Sequence, residues 1–79
     1  MSGEELAARL RRRYGYRLVR QSGSHTTLTR TVGSMSHSVT VPRHRVVRVG
    51  TLSRIVADVA AHLGVTPEEA RGELFGSQR

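Results

Sequence analysis

The 79-residue sequence has no cysteine, no lysine, only three aromatic residues, and no acidic residue from Leu6 to Ala57. Without cysteine there is neither a disulfide nor a thiolate metal site. The aromatics are Tyr14, Tyr16 and Phe75, and the hydrophobic fraction is 37%. A core so modest gives marginal stability, and a partner chain covering apolar surface would add to it. No apolar run is long enough to span a bilayer, and no signal-peptide pattern is present. A cytoplasmic protein without membrane association is therefore expected. The length fits one domain over residues 1–79.

What fills the charge balance is arginine. All 13 basic residues are arginine, the formal net charge is +7, and the sequence pI is about 11.7. Eleven of them fall in the acid-free stretch: Arg9, Arg11, Arg12, Arg13, Arg17, Arg20, Arg30, Arg43, Arg45, Arg48 and Arg54. Such a surface attracts polyanions, of which nucleic acid is the commonest in a cell. The guanidinium fork grips phosphate in two places and stacks on bases. A codon bias would explain arginine over lysine, but not the missing acids. An acidic protein partner is a second use for the same surface.

Periodicity predicts a helix, three strands, a helix and a short last helix. Ser2-Gly3-Glu4-Glu5 has the form of a capping box, and Leu6, Leu10 and Tyr14 share one helical face. Gly15 stands where a left-handed cap is expected, and Arg9 with Arg11 to Arg13 is placed mostly on the solvated face. Strands are predicted from Tyr16 to Gln21, from His25 to Val32, and from Ser38 to Val41, with turns at residues 22–24 and 33–34. The main helix is predicted to begin near Thr51 or Leu52, with Leu52, Ile55, Val56, Val59 and Leu63 on one face and Gly64 closing it. Thr66-Pro67-Glu68-Glu69 is a second capping box, leading to a helix ending near Phe75; residues 76–79 are expected to fray. The two amphipathic helices would cover one face of a three-stranded antiparallel sheet and leave the other open. This α+β order is that of double-stranded-RNA-binding domains.

Four histidines are available for chemistry: His25, His37, His44 and His62. None has the close helical spacing of a zinc site, so no metal and no cofactor are expected. His62 reads as structural, in the last turn of its helix, and His37 as an exposed strand start. His25 opens a strand just past a glycine turn, where its ring can project freely. Arg17, Arg20 and Arg30 are the expected neighbours across the hairpin, and nearby cations favour the neutral imidazole that a general base requires. A solvated turn histidine is the alternative. His44, after Val41-Pro42-Arg43, could be an RNA contact, a second acid or a loop residue.

Several motifs in order resemble the HicA (YcfA-like) toxins, mRNA endoribonucleases of bacterial type II toxin–antitoxin systems. They are Gly15-Tyr16-Arg17-Leu18-Val19-Arg20-Gln21, Gly23-Ser24-His25, Thr40-Val41-Pro42-Arg43-His44, Gly50-Thr51-Leu52-Ser53-Arg54-Ile55 and Thr66-Pro67-Glu68-Glu69. The likeness runs from about Glu5 to Ala70. One stretch departs: Val32-Gly33-Ser34-Met35-Ser36-His37 stands where many members have a histidine-proline-acid-glycine turn. The resemblance implies a double-stranded-RNA-binding-domain-like αβββα fold and a catalytic histidine in the glycine-serine-histidine turn, here His25. It implies metal-independent mRNA cleavage, with Arg17, Arg20, Ser24, Arg30, Arg43 and His44 as the expected RNA contacts. It also implies a HicB-type antitoxin as partner. The alternatives are a non-catalytic double-stranded-RNA-binding module and an inactive toxin relic kept as an interaction protein.

Overall fold

In the computed structural model, which describes residues 1–76, Ser2 opens the first helix, α1 (Gly3–Tyr14). Its hydroxyl accepts from the Glu5 N–H at 3.1 Å. The second half of the expected box is replaced: Glu5 turns its carboxylate to Arg9, 2.8 Å away and one turn on. Leu6 and Leu10 are buried and Tyr14 packs at the core margin. Gly15 ends the helix at φ +74°, a conformation that costs glycine nothing.

Arg11, Arg12 and Arg13 are exposed, but Arg9 is not the solvated residue its spacing suggested. It also donates to the Leu74 carbonyl at 2.9 Å and lies 5.8 Å from the Phe75 ring centre. Its long stem covers apolar surface while its head ties α1 to the last helix.

Three strands follow: β1 (Arg17–Ser22), β2 (His25–Val32) and β3 (Met35–Pro42). They form an antiparallel meander in the order β1-β2-β3, with a register shift at Val19. β3 starts three residues earlier than the sequence pattern predicts. The tight Gly33–Ser34 turn, with Gly33 at φ +60°, pairs Val32 directly with Met35 and carries the ladder through the polar run that follows. Helices α2 (Val49–Leu63) and α3 (Pro67–Phe75) complete the chain. α2 begins at Val49, two to three residues early, with Arg48 as an N-cap that makes no side-chain bond. Both halves of the Thr66–Glu69 capping box are present, at 2.9 and 3.1 Å.

The core lies between the helices and one sheet face. Leu6, Leu10, Leu28, Val41, Ile55, Val56, Val59 and Leu74 are its largest fully buried side chains. Each contributes roughly 1.5–3 kcal/mol by leaving water. The result is an α+β, double-stranded-RNA-binding-domain-like α-β-β-β-α architecture with the short helix α3 appended. Among the described residues, no helix covers the other sheet face.

The chain start fastens the loop after β3. Gly3 N–H donates to the His44 carbonyl at 2.9 Å, and Val47 N–H donates to the Met1 carbonyl at 2.8 Å. A Cβ on Gly3 would overlap the Pro42 carbonyl oxygen. Only glycine permits this approach, which sets where Pro42, Arg43 and His44 stand. Among the described residues, no helix is long and apolar enough to cross a membrane.

Candidate functional site

His25 is the first residue of β2, directly after the Gly23–Ser24 turn. Thr26 and Leu28 are buried against the helices, so strand alternation sends His25 to the open face, where it is exposed. Ser22 and Pro42 pair with it on either side. Arg20 pairs with Thr27 and Arg17 with Thr29, which places both arginines on the same face as His25. Hydroxyls fill the rest of that face, with Thr29 to Ser38 at 2.7 Å and Thr31 to Ser36 at 2.8 Å. The open face is therefore a polar, hydrogen-bonding platform edged with guanidinium groups.

The turn that carries His25 is held from below by Arg43. The Arg43 backbone N–H donates to the Ser24 carbonyl at 2.6 Å, and its guanidinium donates to the Gly23 carbonyl at 3.3 Å. A second guanidinium nitrogen lies 3.8 Å from Glu4. Ser24 thus stands in the clamped turn, and Arg43 is both its anchor and a cation beside the open face.

A cleft of about 540 Å³ runs between β3 and α2. His25 and His44 line it, as do Arg48, Thr51, Arg54 and Asp58 from the helix side. The structure therefore brings His25, at the start of β2, and His44, in the loop after β3, to one cavity and adds two arginines. Sequence reading missed Arg48, Arg54 and Asp58 as site residues. The spacing of Thr51, Arg54 and Asp58 on the polar side of an amphipathic helix is the signal they left.

Arg30 stands elsewhere. It pairs with His37 at the far end of β2, five residues from His25, and faces the helices. Its Nε donates to the Tyr14 carbonyl at 2.8 Å, and its Nη1 lies 3.1 Å from His62 Nε2. It is therefore not the neighbour of His25 that the hairpin suggested. A strand positions residues by register, and five residues separate the two by about 17 Å.

His37 is not the exposed strand start that was expected. Its Nδ1 lies 2.8 Å from the Tyr16 hydroxyl, and its ring stacks on His62 with centres 4.7 Å apart. Burial pushes the Tyr16 phenol up to about 12, against the opposing pull of Arg30. Burial, then the neighbouring His37 and Arg30 charges, hold His62 below the ordinary histidine value. A His62 Nε2 facing a guanidinium N–H must accept, which fixes the neutral ring. This group is a structural knot that joins α2, β2, β3 and the segment between α1 and β1.

Among the described residues, no three His, Asp or Glu side chains gather as a metal-binding group.

The open sheet face thus carries a turn histidine and two arginines beside a cleft lined by His44, Arg48 and Arg54. Residues 3–65 match the family model described as HicA toxin of bacterial toxin–antitoxin. The chain belongs to the HicA toxin family, and with that membership comes an antitoxin partner. No curated protein and no solved structure gives a significant match.

Proposed function

We propose that this toxin is an endoribonuclease that cleaves mRNA without a metal, with His25 as the general base. The observation that carries this reading is the exposure of His25 on the open face at the mouth of the cleft it shares with His44, Arg48 and Arg54. The neutral imidazole removes the proton from a ribose 2′-hydroxyl. The 2′-oxygen attacks the adjacent phosphorus, the bond to the 5′-oxygen breaks, and a 2′,3′-cyclic phosphate forms. Guanidinium groups oppose the charge that builds on the phosphorane, the kind of electrostatic stabilisation that is commonly the largest catalytic term.

The departing 5′-oxygen needs a proton. His44, the other imidazole lining the cleft, is suited to supply it. Arg17, Arg20, Ser24 and Arg43 would hold the RNA strand across the open face. Arg30 supports this surface from its far end, through α2 and Tyr14. A HicB-type antitoxin with an acidic or RNA-mimicking surface would cover His25 and the arginines together in the cytoplasm.

The test is incubation of purified protein with RNA, beside the His25→Ala variant, and induction of both in growing cells. Cleavage and growth arrest are expected from the parent chain and neither from His25→Ala at equal expression. Toxicity that survives the substitution removes His25 from the mechanism. RNA binding by the parent chain without cleavage leaves the double-stranded-RNA-binding module.

A further inference from the structure

The cleft beside His25 has two chemically different ends. α2 begins next to the Pro42–His44 end of β3 and reaches His37 with His62, so helix and strand run antiparallel along it. Arg48, Thr51 and Arg54 come from the early turns, at the end that holds His25 and His44. Asp58 follows one turn after Arg54, towards Ser38. From Thr51 to Asp58 the helix rises about 10 Å, at roughly 1.5 Å per residue.

Asp58 is the only acidic residue between Leu6 and Pro67. Its carboxylate makes neither a hydrogen bond nor an ion pair among the described residues, although Arg54 lines the same cavity. A carboxylate in a cleft meant only for phosphates would repel them. It suits instead the part of a ligand that carries N–H donors and no charge. A nucleotide has this polarity: an anionic phosphate at one end and a neutral base with N–H groups at the other. The cavity, at about 540 Å³, is large enough for one nucleotide. β3 is an edge strand, so its outward main-chain groups also lack a strand partner there.

We propose that this cleft binds one nucleotide of single-stranded RNA, with its phosphate at His25, Arg48 and Arg54 and its base at Ser38 and Asp58, and that Asp58 selects guanine. Guanine presents N1–H and an N2–H side by side, so a carboxylate accepts two parallel bonds from it. Adenine and cytosine offer one exocyclic amine, and uracil offers one imide N–H. Sequence-specific RNA recognition works mostly in this way, on single strands whose exposed base edges accept and donate hydrogen bonds. The inference rests on the RNA reading of His25, but it concerns binding rather than cleavage.

The experiment is an NMR titration of the intact protein with the four nucleoside 3′-monophosphates, none of which the proposed reaction can cleave. Guanosine 3′-monophosphate is expected to bind about tenfold more tightly than the other three, the size of one two-pronged base contact. Its shifts should map to residues 38–42 of β3, to Arg48 and to residues 49–58 of α2. Asp58→Asn, an exposed change that offers guanine an amide in place of two acceptors, should reduce guanosine binding to the level of the others. Glu68→Gln, on α3, should leave it unchanged. Equal binding of the four bases, no binding of guanosine 3′-monophosphate, or a guanine preference that survives Asp58→Asn each overturns the proposal. Guanine selection by a protein that cleaves no RNA supports this site and overturns the cleavage reading alone.

Discussion

Arg43 holds Gly23: its guanidinium donates to the Gly23 carbonyl at 3.3 Å while its own N–H donates to the neighbouring Ser24 carbonyl at 2.6 Å. The residue after β3 thereby clamps the turn before β2, and His25 stands between the two.

Arg43→Ala removes the side-chain bond and keeps the backbone one. The loss of stability should be small, about 0.5–1.5 kcal/mol for one hydrogen bond, read from urea unfolding. RNA cleavage should fall further than that stability change accounts for, because small displacements of a catalytic group are costly. Cleavage equal to the parent chain would show that the backbone bond alone holds the turn.

Gly3→Ala should destabilise the fold by about 1–3 kcal/mol, the usual cost of forcing atoms into filled space. The new Cβ would overlap the Pro42 carbonyl oxygen, and the backbone there must move. Thermal unfolding of the variant measures this. An unchanged midpoint would mean that the chain start can shift freely without straining the Pro42–His44 segment.

Stability should decrease on mild acidification, and His62 should account for part of the loss. Its folded-state value lies below the ordinary 6.5, so the unfolded chain binds the proton more readily. The stabilisation is complete above about 6.5, the ordinary value, and is lost as the pH falls through the lower folded value. Urea midpoints at neutral and mildly acidic pH should differ for the parent chain. His62→Gln, which cannot titrate, should flatten the dependence in that window. An unaltered pH slope in the variant would place the effect on another group.

Cleavage should persist in EDTA and leave a cyclic or 3′-phosphate on the upstream fragment, as 2′-oxygen attack requires. Loss of activity on chelation, restored by a divalent ion, would replace the proposed route by a metal-dependent one. A 3′-hydroxyl upstream would make water the nucleophile, and abstraction of the 2′-proton by His25 would no longer be the chemistry.

The sequence by itself determined what depends on neighbours along the chain. Leu6 and Leu10, or Ile55, Val56 and Val59, mark their buried faces through helical spacing alone. Gly15 and Gly64 mark left-handed helix ends because other residues are strained there. His25 was legible as a projecting side chain because a turn and a strand start are local events. Strand β3 and the start of α2 were less so, since a polar run carries little period and Arg48 offers no capping signal.

Only the tertiary structure decided which distant residues meet. Tyr16 captures His37 across the sheet, His62 stacks on that ring from α2, and Arg30 is drawn away from His25 to join them. The packing of α2 beside β3 is what sets His44, Arg48, Arg54 and Asp58 around one cleft with His25. Such meetings depend on how amphipathic faces settle against one another through a shared core. Burial of Ile55 and Val41 favours that docking without regard to the polar residues it carries to the rim, so no local pattern announces them.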